Sequence, residues 1–336
     1  MISLSVLIVL GACQSNGSPV SLTEPMPSLM ALDDAGSTPT MLPPTRELRS
    51  VVTRDTTLIP TTAPTLTVTP TAIIPTMTQP VVVTVSPTIA VPIATELPSE
   101  FVFGMSSGGR PLTARRIGTG ATKLMFVGGV HTGFESNTVE LMNELIAHFE
   151  ASPAEVLSGV TLIFVPALNP DGLTKGRVLE GRFNDQRVDL NRNWGCGWEP
   201  IAYFQEREVS PGQSAFSEPE TQALAALILQ ERPSAVLFYH AAANGIFSGE
   251  CAGQDANSAA MSTVLSDATG YPYGDDFSEY VVSGTAPEWV ASQGIASADV
   301  ELASATETEF ERNLRGVMAL QCWSLNLDVA QCAASP

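Results

Sequence analysis

The sequence predicts an α/β fold, a largely buried central sheet flanked by helices, with a disordered Thr/Pro-rich tether ahead of it. Three observations carry this. Apolar runs of strand length alternate with amphipathic segments after about residue 99. Proline and threonine crowd the stretch before it. His131, His240 and Glu301 each stand at the end of a strand-like run, where open α/β folds gather their sites.

The elements follow in order. Residues 123–130, "KLMFVGGV", read as a strand, and 137–151 as a helix whose apolar face is Leu141, Leu145, Ile146 and Phe149. A second strand covers 160–166. A helix over 218–231 opens on "SEPE", read as a capping box with Ser217 as N-cap and Glu220 reaching back. Strand 235–239, helix 258–269, strand 298–302 and helix 310–324 complete the pattern. Residues 99–336 are long enough for one sizeable core.

Residues 14–98 are rich in Thr, Pro, Ser and Val, and proline interrupts every Val/Thr run before a sheet can propagate. Such a tether of roughly 80 residues reaches on the order of 250 Å extended and about 50 Å as a coil. Residues 1–13 hold an apolar run of roughly eleven residues, short of the about 20 that span a bilayer. The run ends in Leu10-Gly11-Ala12-Cys13. This resembles the lipobox of bacterial lipoproteins, which implies lipidation of Cys13, a membrane lipid anchor and an exported chain, membrane-tethered or secreted. The four remaining cysteines allow three pairings. Cys196–Cys251 with Cys322–Cys332 is favoured for an exported chain. The formal charge of −19, from 35 acidic and 16 basic side chains, lacks the clustered Lys and Arg of a nucleic-acid surface.

Only three histidines occur: His131, His148 and His240. A catalytic zinc wants three protein ligands and one open position. "HTGFE" supplies His131 and Glu135, and His240 is the third candidate, whereas His148 falls in a helix and reads as packing. The segment "GRFNDQRVDLNRNW" is dense in Arg and Asn, either an anion clamp or a solvated polar turn.

Together, "GGVH..E", "NPDG" at 169–172, "R.N...VDLNRNW" at 182–194, "SEPET" at 217–221, His240 after an apolar strand, "YVVSGTAPEW" at 280–289 and "QGIASADVEL" ending at 302 resemble the zinc metallocarboxypeptidases of the carboxypeptidase A/B type. The resemblance implies a mixed, mostly buried central sheet flanked by helices and one Zn2+ per chain held by His131, Glu135 and His240. It gives Glu301 the part of general base for the attacking water and Arg182 that of oxyanion stabiliser. Asn191 and Arg192 would clamp the terminal carboxylate under Tyr280, and Asp189 would orient His131. The implied partner is a peptide with a free C-terminal carboxylate, acted on by a monomer without nucleic acid. Secreted animal members often carry a folded pro-domain. The tether stands in its place, so no autoinhibitory segment is expected.

The match departs in three places. The family spaces its first two ligands H-x-x-E, one residue shorter than "HTGFE", and Gly133 is expected to give the backbone its freedom. Ala241, Ala242 and Ala243 replace a Ser-Tyr pair of the cleft. Pro287 at the base of the specificity pocket suggests small or apolar C-terminal residues, while Asp275 and Asp276 would attract a basic group. The expected activity is removal of single C-terminal residues. Alternatives are a cell-wall stem-peptide hydrolase, a deacylase of N-acyl amino acids, and a non-catalytic peptide binder with a degraded metal site.

Overall fold

Long apolar runs such as "VTLIFV" bury both faces of a strand, which only a central position in a covered sheet allows. A computed structural model describes residues 99–274 and 280–332 and places these runs there. Cys13, the 14–98 segment, Asp275 and Asp276 lie outside the described residues.

The chain order is β1 (Glu100–Met105), β2 (Pro111–Gly118), β3 (Thr122–Val127), α1 (Ser136–Ala151), β4 (Val160–Val165), α2 (Pro170–Leu173), β5 (Ala202–Phe204) and β6 (Arg207–Val209). Next come α3 (Pro219–Glu231), β7 (Ala235–Ala241), β8 (Gly245–Ser248), α4 (Ala256–Thr269), α5 (Ala286–Ser292), β9 (Ala296–Leu302), α6 (Phe310–Ser324) and α7 (Val329–Cys332). Seven strands form one mixed sheet in the order β1-β2-β4-β3-β7-β9-β8. Its centre, β4-β3-β7-β9, is parallel, and β1, β2 and β8 run antiparallel to their neighbours.

Alternate side chains feed two cores. Leu124 and Phe126 pack with Leu141, Leu145, Leu265 and Leu320 on the α1, α4 and α6 face. Met125 and Val127 pack with Leu224, Ile228 and Val290 on the α3 and α5 face. On β9, Ala296, Ala298, Val300 and Leu302 belong to the first core, so Ser297, Asp299 and Glu301 point to the other face.

Both favoured disulfides are present, Cys196–Cys251 across 55 residues and Cys322–Cys332 across 10. The capping box expected at Ser217 is not. The residue before α3 is Glu218; Ser217 donates to the Glu218 carboxylate, and Glu220 turns away to accept from Ser107. Proline at the first position of α3 already supplies a helical φ and no N–H to cap. The box lies instead at α5, between Thr285 and Glu288.

The "NPDG" motif is an anchor for the β1–β2 turn. Asp171 is fully buried and accepts from Ser106 Oγ, Ser107 Oγ, Gly108 N and Arg110 Nη1 at 2.6 to 3.0 Å. Burial alone would raise its pKa, but these donors hold it below the usual carboxylate range. A depressed folded pKa gives stability that is present above about pH 4 and lost as pH falls through the folded value. Asp171→Asn should therefore cost about 2 kcal/mol at neutral pH, with the deficit shrinking in acid. Urea unfolding across that range checks it; a deficit independent of pH would refute it.

Candidate active site

The carboxyl ends of β3, β7 and β9 meet at a cavity of about 590 Å³. His131 follows β3 after Gly128, Gly129 and Val130, while His240 and Glu301 are register partners on β7 and β9. Glu135 closes the turn that leads into α1, its N–H donating to His131 O at 2.9 Å. That hydrogen bond absorbs the extra residue of "HTGFE": it coils the loop by one turn and leaves the carboxylate beside the ring. Gly133 serves the turn differently from expectation. Its φ is not positive; instead a Cβ there would run into the carbonyl oxygens of Gly172 and Gly176. Close packing requires this glycine, and backbone freedom does not.

His131, Glu135 and His240 are buried with one ligand atom each, all within 4.8 Å of one another. Glu135 Oε1 is 2.9 Å from His131 Nδ1, and Oε2 is 3.1 Å from His240 Nδ1. The two Nδ1 atoms are 3.2 Å apart. Two facing ring nitrogens share at most one proton. The Nε2 atoms face carboxylates elsewhere, His131 at 3.0 Å from Asp189 and His240 at 3.4 Å from Asp299. With both Nε2 atoms protonated, two Nδ1 lone pairs and a carboxylate converge on one point, a donor set that fits zinc. Burial alone would lower the His240 pKa; Asp299 and Glu135 override it and raise it well above the ordinary value.

Glu301 lies at the cavity, its Oε2 accepting from Ala243 N at 3.2 Å. Burial pushes its pKa up to about 7, with Glu135 adding to the shift and His240 opposing it, a value suited to proton transfer near neutrality. Arg182 is buried, donates through Nε to Asp189 at 2.7 Å and lies 3.4 Å from Glu135. Its guanidinium sits 4.0 Å from the Phe204 ring centroid, which holds it flat.

The polar segment is no solvated turn. Arg182, Asn184, Asp189, Asn191, Arg192 and Asn193 are all at most 5 % exposed. Ala286 N donates to Asn191 Oδ1 at 2.9 Å, which turns the Asn191 amide nitrogen toward Asp299 Oδ2 at 3.3 Å. Arg192 is fixed by Tyr203 O and Asn191 O. Both line the cavity with Tyr280, whose ring is 6.0 Å from the Arg192 guanidinium and edge-on to Phe204. Asn184 and Asn193 are braces instead: Asn184 donates to Glu218, and Asn193 ties Pro211, Ser214 and Thr221 together. His148 is remote from the site, bonded to Glu155 and edge-on to Phe149. Sequence reading missed Asp299, Glu288 and Phe204. Asp299 carried a usable signal, since it precedes Glu301 by two on the same strand and so shares its face.

A buried His–Glu–His triad with a neighbouring carboxylate, at the ends of parallel strands, is the arrangement of a metal-dependent hydrolase. The zinc carboxypeptidase family matches residues 95–314, more than half of the chain, and the chain belongs to that family. It is 26% identical over 154 residues to carboxypeptidase B of Astacus astacus, covering 40% of this chain and 50% of that one. It is 35% identical over 111 residues to the bacteriocin BCN5 of Clostridium perfringens, covering 30% of this chain and 12% of that protein. The matches thus span half or less of these curated relatives. Among solved structures, carboxypeptidase A of Helicoverpa armigera superposes with a TM-score of 0.50 at 20% identity, over 70% of this chain and 68% of that one. Bovine thrombin-activatable fibrinolysis inhibitor, solved with a tick carboxypeptidase inhibitor, gives 0.54 at 19%, over 70% and 89%.

Asp189→Asn replaces the charged acceptor behind His131 with a neutral amide and should weaken zinc binding by about 10- to 100-fold, read by dialysis against a chelator. Gly133→Ala should lower both zinc content and thermal stability. A full zinc complement in that variant would show that the loop tolerates a Cβ.

Proposed function

We propose that the chain is a zinc-dependent carboxypeptidase that removes single residues from peptide C-termini. The observation that carries this is the presence in one cavity of the His131–Glu135–His240 triad, Glu301 and the Asn191–Arg192 pair. Zinc, when bound, supplies Lewis-acid polarisation of a carbonyl oxygen and acidification of water.

The chain's own residues supply the rest. Arg192 and the Asn191 amide present N–H donors to the terminal carboxylate, and Arg192 offers a fork that matches its geometry. Tyr280 borders that site. Arg182, locked by Asp189 and stacked on Phe204, is ready to stabilise negative charge developing on the scissile carbonyl oxygen. Glu301 accepts a proton from the attacking water and delivers it to the departing amine, the exchange its raised pKa favours. The longer His-to-Glu spacing is no obstacle, because Glu135 reaches both imidazoles. The two disulfides suit the oxidising compartment that export would provide.

Purified protein should hold about one zinc per chain and hydrolyse C-terminal peptide bonds of a substrate panel that includes cell-wall stem peptides. Glu301→Gln should lower kcat/KM by about 10²- to 10⁴-fold with zinc content unchanged. Wild-type turnover in that variant would remove Glu301 as the base, and wild-type protein that binds no zinc would overturn the reading.

A further inference from the structure

Among the described residues, β5 and β6 form a two-stranded hairpin apart from the central sheet, and it reaches both arginines of the proposed reaction. Alternation along β5 sends neighbouring residues to opposite faces. Ala202 and Phe204 pack inward with Phe183 and Val209, while Tyr203 is 42% exposed. Tyr203 O accepts from Arg192 Nε at 3.1 Å. The Phe204 ring lies against the Arg182 guanidinium, its centroid 4.0 Å from the central carbon. That ring is also edge-on to Phe134, the residue before Glu135, at 5.6 Å, and to Tyr280 at 5.9 Å.

Arg182 needs such a contact. Its Nε donates to Asp189 at 2.7 Å, but Nη1 is 3.4 Å from Glu135, a carboxylate that belongs to the triad. A planar group held by one short bond can tip and turn about it. Nη2 has no hydrogen-bond partner among the described residues, and Arg182 lines the cavity. A ring face against the guanidinium plane removes the tilt, and it does so without an anion. The π face attracts the cation but carries no net charge, so the positive charge at Nη2 stays free for a developing oxyanion. A carboxylate in the same place would hold the group and quench it.

We propose that Phe204 is a positioning residue for Arg182: its ring sets the tilt of the guanidinium so that Nη2 meets the oxyanion of the scissile peptide bond. The proposal rests on the carboxypeptidase reading, which gives Arg182 that part. Phe204 acts through Arg182 and touches no reacting atom. It also packs into the small core of the hairpin, so its test needs a readout that mere packing would not move. Leucine keeps an apolar side chain in that core and removes the π face. Tyrosine keeps both.

Phe204→Leu in the full zinc-loaded chain should lower kcat by about tenfold to a hundredfold, the cost of misplacing a catalytic group, with KM and zinc content near the wild type. Phe204→Met, with a flexible apolar chain that fills gaps, should match it, and Phe204→Tyr should restore kcat. In an Arg182→Ala background Phe204→Leu should cost nothing further, since a residue that acts through another has no effect once that other is gone. Unchanged kcat in the leucine and methionine variants, or the same fold loss with and without Arg182, would overturn the proposal and leave the carboxypeptidase reading intact. If the wild type cuts no C-terminal peptide, that reading fails and the arginine side chain decides. With arginine isotopically labelled at nitrogen, hydrogen exchange at Arg182 Nε should speed up by about tenfold in Phe204→Leu and keep the wild-type rate in Phe204→Tyr. Equal rates in all three proteins would overturn the positioning.

Discussion

The Asp189 carboxylate is the point on which the site depends. It is fully buried, where a lone negative charge is expensive, and three donors compensate it: His131 Nε2, Arg182 Nε and the N–H of Asn191. Burial opposes its ionisation, yet Arg182 and His131 hold its pKa well below the usual range. One charged group thereby fixes a triad imidazole, the Arg182 guanidinium and the turn that carries Asn191 and Arg192. The triad and the Arg–Asn side of the cavity are located by the same atoms.

Much of this architecture was legible in the sequence, for physical reasons that differ between elements. The span 310–324 matched α6 residue for residue, because its apolar stripe repeats at helical spacing and a short connection follows. The parallel strands were legible because burial on both faces leaves long apolar runs. β1 and β2 were not read: β2 carries Arg115 and Arg116 in its middle, both ion-paired, which hides its alternation. At seven residues, α5 is too short for a stripe to show, although its capping box is the genuine one. "SEPE" misled because the pattern of an N-cap says nothing of competing partners. Glu220 found Ser107, which lies 113 residues away in the chain.

Which residues meet at the cavity was legible, and their supports were not. Three histidines left little choice for a triad, and the density of Arg and Asn marked a segment that lines the cavity. What composition does not convey is burial, and burial separates a clamp from a solvated turn. It also separates Arg182, Asn191 and Arg192, which reach the cavity, from Asn184 and Asn193, which brace the loops behind it. Asp299 escaped notice because its role depends on pairing across β7 and β9, a relation between segments about sixty residues apart.

The Cys196–Cys251 bridge ties the end of the Arg- and Asn-rich segment to the loop after β8 that bears Glu250. The triad comes from elsewhere: the loop after β3 and the end of β7. The covalent tie therefore bears on the wall of the cavity, while His131, Glu135 and His240 are set by strand ends that neither bridge joins. Two kinds of constraint thus act on one cavity, a covalent link along its wall and a packed sheet beneath its triad.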